Sequence, residues 1–320
     1  MVGMKQHWIV GLGLSALAGF ASATPSITAQ VEASAFSVNL SGVHDKKSSA
    51  GSTTQSLQAA SSVSESNFAG SSTASAATSA FVIASPGGLR MLATASAQAV
   101  TTDLSPMTAA GGSTVFATLD DGFTIVAGQC GNLTLCGDGA IGQMSFSIVV
   151  DGSMGGSGTA GFSIGGRWEA GFSLTTGAPL GLPVQSYANW RGWHNFSQQG
   201  TAPPVESQID GFGVRNYTVS FVFGAPITLH LDDFINAQAN ATTTLGNATA
   251  TFTTDMSHTF AWGGISSVKD SAGNTVAFSA LNADGSFDYA QAFTSSVPEP
   301  SSALLLGAGL LGLLLRRRAR

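Results

Sequence analysis

The chain has 320 residues and a mass of 32.3 kDa, room for one or two domains with a sizeable buried core. Only 9% of its residues are charged, against roughly 25% in ordinary soluble domains, and residues 24–297 hold 7 basic against 17 acidic side chains, a net charge near −10. That balance excludes a nucleic-acid binder, which needs a basic face, and a hydrophobic content of 43% excludes wholesale disorder.

The chain opens with Lys5, an apolar stretch over residues 8–20, and Ala21-Ser22-Ala23. A cationic start, a short apolar run and an A-x-A site make a secretory signal peptide. Residues 1–23 are expected to form a signal helix, cleaved after Ala23 to leave Thr24 as the new N-terminus. A retained anchor is the alternative, although the run is short for a span of about 20 residues.

Residues 24–112 are low in complexity and rich in Ser, Thr and Ala. Residues 36–40 alternate apolar with polar as a half-buried strand does, and 89–100 alternate weakly with Ala as the apolar partner. Residues 44–66 show no periodicity and read as a flexible loop or disordered insertion. These weak strands are expected to join the sandwich of the body.

The strand signal strengthens over residues 113–297. Residues 114–119 alternate and stop at the turn-like Asp120-Asp121-Gly122. Residues 143–150 put Met144, Phe146, Ile148 and Val150 on one face and break at Asp151-Gly152. The stretches 160–164 and 170–174 echo one another, as two strands of a hairpin would. Residues 177–204 read as a loop carrying Tyr187, Trp190, Trp193 and Phe196. Strands follow at 214–223 and 227–231, then in 243–253 and 260–268. Asp270–Asn274 and Asn282–Gly285 read as turns, the first before a strand at 275–278 and the second before one at 287–293. Short strands with frequent turns argue for a sandwich or barrel. No sustained 3.6-residue apolar period occurs, so helix should be minor.

Candidate chemistry is sparse. Cys130 and Cys136, the only cysteines, have exported-protein context and an even number, which favours a disulfide clasping a tight turn. Gly161-Phe162-Ser163-Ile164-Gly165 fits the G-x-S-x-G pattern, but the buried strand and helix that a nucleophile elbow needs do not flank it. His44, His194, His230 and His258 lack zinc spacing. Asp255 and His258 fall on opposite faces of a strand. The aspartates sit mainly beside glycine, as turn residues do; a Ca²⁺ site built from loop carboxylates stays an alternative. No cofactor and no metal site is expected. Trp190-Arg191-Gly192-Trp193-His194 is the most interesting stretch of the body. Its tryptophans either stack on sugar rings or cap the core, and the core is the better reading. The Asn-x-Ser/Thr triplets at Asn132, Asn195, Asn216, Asn240 and Asn247 matter only in a glycosylating cell.

The C-terminus reads Pro298-Glu299-Pro300-Ser301-Ser302, an apolar run over 303–315, and Arg316-Arg317-Arg318-Ala319-Arg320. As a helix the run is roughly 20 Å long, a marginal span whose Arg cluster marks the cytoplasmic side. The two prolines keep the junction extended, a shape suited to a protease groove. An ordinary tail anchor is the alternative. This tripartite tail, residues 298–320, resembles the PEP-CTERM sorting signal of Gram-negative bacteria. The resemblance implies recognition by an exosortase, a membrane cysteine transpeptidase, at Pro298, Glu299, Pro300, Arg316, Arg317 and Arg318. It implies an exopolysaccharide-making host, transient anchoring in the inner membrane, and delivery to the surface or matrix. The body, at 114–174 and 255–293, resembles extracellular domains found with such tails, which implies a jelly-roll-like antiparallel β-sandwich flanked by the signal helix and a C-terminal hydrophobic helix. No enzymatic activity is expected. The expected role is structural or adhesive within exopolysaccharide. A carbohydrate-binding module using Trp190 and Trp193 is the alternative, and a secreted hydrolase, needing two carboxylates in a cleft, a third.

Overall fold

The computed structural model describes residues 26–37, 43–51, 55–66, 72–102, 106–129, 131–176, 184–198, 205–209 and 211–293. Both terminal helices expected from the sequence, and the cleavage point at Ala23 and Thr24, lie outside the described residues. The strands are β1 (Ser26–Ser37), β2 (Val43–Gly51), β3 (Gln55–Ser66), β4 (Ser72–Ser85), β5 (Gly88–Thr101), β6 (Met107–Ala127) and β7 (Ile141–Thr159). They continue as β8 (Phe162–Thr176), β9 (Val184–Gln198), β10 (Val205–Ile209), β11 (Gly213–Val222), β12 (Pro226–Thr243), β13 (Gly246–Lys269) and β14 (Phe278–Asn282). A four-residue helix, α1 (Leu133–Cys136), is capped by Asn132, whose side chain accepts from the Thr134 N–H.

The strands form two sheets. The first runs β10-β9-β8-β12-β6-β1-β2, with β14 also paired to β6; the second runs β11-β7-β13-β5-β4-β3. Every pairing between named strands is antiparallel. The sheets pack face to face, β12 against β5 and β13, and β1 and β6 against β4. Alternate residues of each strand enter the core, as a period of two requires: in β12 these are Ile227, Leu229, Leu231, Asp233, Ile235, Ala237, Ala239 and Ala241, all buried.

The core is graded. Towards one end it is aromatic, with Phe146 stacked on Trp262 at 4.8 Å and Phe123 on Tyr289 at 4.5 Å. Towards the other it is alanine, from Ala74, Ala76, Ala95, Ala97 and Ala99 to Ala109, Ala237, Ala239, Ala241, Ala248 and Ala250. Small side chains let the sheets approach. A Cβ on Gly111 of β6 would sit 2.8 Å from Thr78 Cγ2 and 3.0 Å from the Ser96 carbonyl of the facing sheet.

Several strands are longer than their sequences suggested. Residues 44–51 and 55–66 are not a loop: they form most of β2 and all of β3 at the sheet edges, and in β3 Ser and Ala give too little hydropathy contrast to show the period. Asp120-Asp121-Gly122 is not a turn. β6 runs through it, held by β12 in register, with His230 opposite Asp120 and Leu229 opposite Asp121. β7 likewise continues past Asp151-Gly152 to Thr159. The echo at 160–164 and 170–174 is not a hairpin; both copies lie mainly in β8, and their even spacing puts Phe162 and Phe172 on the same inward face. Residues 287–293 are not a strand but a closing segment with one bridge, between Leu281 and Asp288. Of 275–278 only Phe278 lies in a strand, as the first residue of β14, while Thr275 makes a single bridge to Lys269. The alternation of 143–150 and the strand at 214–223 are as expected, as are the turns at 270–274 and 282–285. In the first turn the Asp270 carboxylate accepts from the Ala272 and Asn274 N–H groups, both at 2.9 Å.

Candidate functional site

The outer face of the first sheet gathers charged, amide and aromatic side chains from several strands. Its register sets neighbouring outward side chains in rows. Phe116 of β6 stands opposite Phe234 of β12, which stands opposite Glu169 of β8, which stands opposite Arg191 of β9. One pleat away, Thr118, Asp232, Gly171 and Asn189 form the next row, and beyond it Asp120, His230 and Ser173.

Gly171 is the break in this face. With no side chain there, Asp232 and Asn189 lean over its backbone: a Cβ would lie 2.5 Å from Asp232 Oδ1 and 2.7 Å from Asn189 Oδ1. The same face holds a notch of about 540 Å³ whose lining includes Glu169, Asn189, Arg191 and Asp232, within the range of about 300–1,000 Å³ for small-ligand sites. It offers a carboxylate pair, an amide and a guanidinium. Asp232 is steadied from its own strand, with Oδ1 3.7 Å from His230 Nε2, while His230 Nδ1 lies 2.6 Å from Asp120 Oδ1. On the same face Phe116 of β6 is 39% exposed. Arg167 covers Phe234, its guanidinium carbon 4.9 Å from the ring centroid, and also lies 3.7 Å from Glu169. The whole is a flat apolar patch next to paired donors and acceptors.

The tryptophans do not share a platform. They lie in β9, not in a loop, and their spacing of three puts them on opposite faces. Trp190 turns inward, 5.7 Å from Phe172 and 5.9 Å from Phe260 by ring centroids. Trp193 turns outward, opposite Arg167 of β8 and Ile209 of β10, and adds to the same outer face. Ser163 faces outward on β8, with no histidine opposite it: its neighbours in register are Asn240 and Ser197. Cys136 ends α1, buried and without a free thiol; Cys130 lies outside the described residues. Among the described residues no three His, Cys, Asp or Glu side chains gather as a metal site would require.

Two buried acids stand apart from the notch. Asp121 receives the Tyr289 hydroxyl at 2.5 Å and the Gly122 N–H at 2.8 Å, yet burial still holds its pKa above the ordinary carboxylate value. Burial also pushes the Tyr289 phenol upward, and the Asp121 charge adds to it. Asp233 is fully buried, and burial raises its carboxyl well above the usual range.

Sequence reasoning missed Phe116, Asn189, Asp232 and Phe234. The signal was present in β12, where Thr228, His230, Asp232, Phe234 and Asn236 alternate with Ile227, Leu229, Leu231 and Ile235. A strand whose outward half is built of His, Asp, Phe and Asn presents more than solubility.

The tail is settled by comparison with known proteins. The family model of the PEP-CTERM protein-sorting motif matches residues 296–318. The C-terminus carries that sorting motif. It contains Pro298, Glu299, Pro300 and Arg316–Arg318, all outside the described residues, and marks an exported protein that an exosortase sorts, with a transient membrane anchor before cleavage. No curated protein and no solved structure matches the chain.

Proposed function

We propose that this chain is a non-catalytic surface or matrix protein that holds exopolysaccharide on the outer face of its first sheet after exosortase sorting. Export would begin with signal cleavage between Ala23 and Thr24. The strand order supports a jelly roll for the body. β5-β13-β7-β11 and β6-β12-β8-β9 form two four-stranded layers, and the chain crosses between layers as two nested Greek keys do, the arrangement of many lectin domains. β1 and β2 widen one layer; β3 and β4 widen the other.

The observation that carries the reading is the notch lined by Glu169, Asn189, Arg191 and Asp232, with Phe116 exposed on the same face. A sugar presents vicinal hydroxyls, each both donor and acceptor, on one edge and C–H groups on its faces. The Asp232 carboxylate and Asn189 amide suit the edge, the Arg191 guanidinium adds a donor, and Phe116 suits a face. The pairing of Arg167 with Glu169 keeps the patch near neutral, which favours a neutral hexose over a uronic acid. Glycan recognition therefore moves from the Trp190–Trp193 pair to this face, with Trp193 at its margin. The acids that burial raises, Asp121 and Asp233, lie inside the sandwich, so neither is placed to protonate a glycosidic oxygen in the notch.

Affinity electrophoresis through gels containing the host's exopolysaccharide tests this on the full-length chain. The parent should be retarded. Asp232→Ala with Asn189→Ala, and separately Phe116→Ala, should abolish retardation while leaving the melting temperature unchanged. Equal mobility of parent and variants would overturn the reading, and release of reducing ends from the polysaccharide would overturn its non-catalytic part.

A further inference from the structure

Sheets of this kind end in strands with unpaired N–H and C=O groups, which attract other strands unless guarded. Among the described residues β2 and β3 are edges on one side of the sandwich, and β10 and β11 on the other. Three of these strands carry charges of their own in described positions: Lys46 and Lys47 on β2, Glu206 on β10, Arg215 on β11. The described side chains of β3, residues 55–62, are Gln, Ser, Leu and Ala. They carry no charge.

The guard for β3 comes from the other sheet. The Ala60 N–H donates to Asp45 Oδ2 at 3.1 Å, and Lys47 Nζ donates to the Gln58 carbonyl at 2.7 Å. The two β2 side chains pair with each other at 3.1 Å, so carboxylate and ammonium imitate the acceptor and donor of a neighbouring strand. The Ala60 N–H and then Lys47 hold the Asp45 carboxyl below its ordinary pKa, which keeps it an acceptor at neutral pH. Both side chains remain largely in water, 33% exposed for Asp45 and 50% for Lys47, so the contact is weak and reversible.

We propose that Asp45 and Lys47 form a latch over the free edge of β3, and that this edge, when unlatched, pairs with β3 of a second copy of the chain. A β3–β3 pair is self-complementary about a two-fold axis. It continues the antiparallel pattern of the second sheet and brings no charge against itself over residues 55–62. Pairing with β2 or β11 of another copy would instead meet Lys46, Lys47 or Arg215.

Light scattering coupled to size exclusion, on full-length chain in detergent, tests the latch. The parent should run as a monomer and Asp45→Ala/Lys47→Ala as a dimer with an unchanged circular dichroism spectrum. Adding Ala60→Lys, a charge on the edge itself, should return the double variant to monomer. A monomeric double variant that keeps its β spectrum would overturn the proposal, as would a parent already dimeric or a dimer that Ala60→Lys leaves intact. Should the double variant not fold, Lys47→Gln alone carries the same test, with a partial shift to dimer expected and a pure monomer overturning it.

Discussion

Asp233 occupies an inward position of β12, opposite Ala117 of β6 and Ala170 of β8. Both of its carboxylate oxygens are buried, and neither makes a well-aligned hydrogen bond. Burial raises its pKa well above the ordinary value, the Asp232 charge adds to the rise, and the Phe234 N–H offsets part of it. The folded chain therefore keeps a proton that the unfolded chain releases above about pH 4. A raised folded pKa contributes stability fully present below the unfolded pKa and lost as pH rises towards the folded one. Between the unfolded and the folded pKa, each pH unit costs the fold about 1.4 kcal/mol. Asp233→Asn removes this dependence. Urea melts of parent and variant should nearly coincide near pH 4 and separate by pH 7, with the variant the more stable; parallel curves across that range would show that Asp233 does not titrate with folding. The sequence placed Asp232-Asp233 among turn residues. In the structure the first acid lies on the outer face of the sheet and the second in the core, a difference set by the pleat alone.

The strands show why some elements were legible and others were not. Met144, Phe146, Ile148 and Val150 alternate with polar residues, so the contrast between the faces of β7 is large and its period shows. In β3 the inward residues include Ala59 and Ser61 and the outward ones Ala60 and Ser62, so both faces read alike and only pairing with β4 makes the strand. β9 was hidden differently. Trp190 and Trp193 read as one cluster, both in the core or both exposed, because they are close in sequence, whereas a strand separates them by face. Trp190 packs among Phe172, Tyr217 and Phe260. Trp190→Ala should cost stability near the lower end of the roughly 3–5 kcal/mol seen for buried tryptophans, since the ring is only half-buried, and Trp193→Ala much less. Thermal denaturation compares them directly, and equal losses would contradict their placement on opposite faces. The notch was illegible for a further reason. Asp232 lies on β12, well downstream of Gly171 on β8 and Asn189 on β9, and only the pairing of β12 with β8 and β8 with β9 brings them into one row.

At the scale of the whole molecule, the closing segment joins fold to sorting. Tyr289 is fully buried. Its hydroxyl donates to Asp121 of β6 and its carbonyl accepts the Trp262 Nε1–H of β13 at 2.8 Å. Farther on, the Phe293 N–H donates to the Trp262 carbonyl at 2.9 Å, and the Phe293 ring lies where a Cβ on Gly88 would be. The body is thus bonded into place up to Phe293, and the sorting motif begins at residue 296. From Phe293 to Pro298 a fully extended chain spans at most about 18 Å. Cleavage at or after Pro298 would therefore remove nothing that the described core uses. Two consequences can be measured together. Protein recovered from the cell exterior should lack Arg316–Arg320 by intact mass yet melt like the uncleaved chain, and deletion of residues 298–320 should divert a folded protein to the periplasm or medium. Deletion from residue 287 onward should instead leave no folded protein, because it takes away Phe287, Tyr289 and Phe293 and strands the Asp121 carboxyl and the Trp262 N–H without partners. Exterior protein that retains its arginines would contradict processing, and a folded product of the longer deletion would contradict the closure of the sandwich by its last residues.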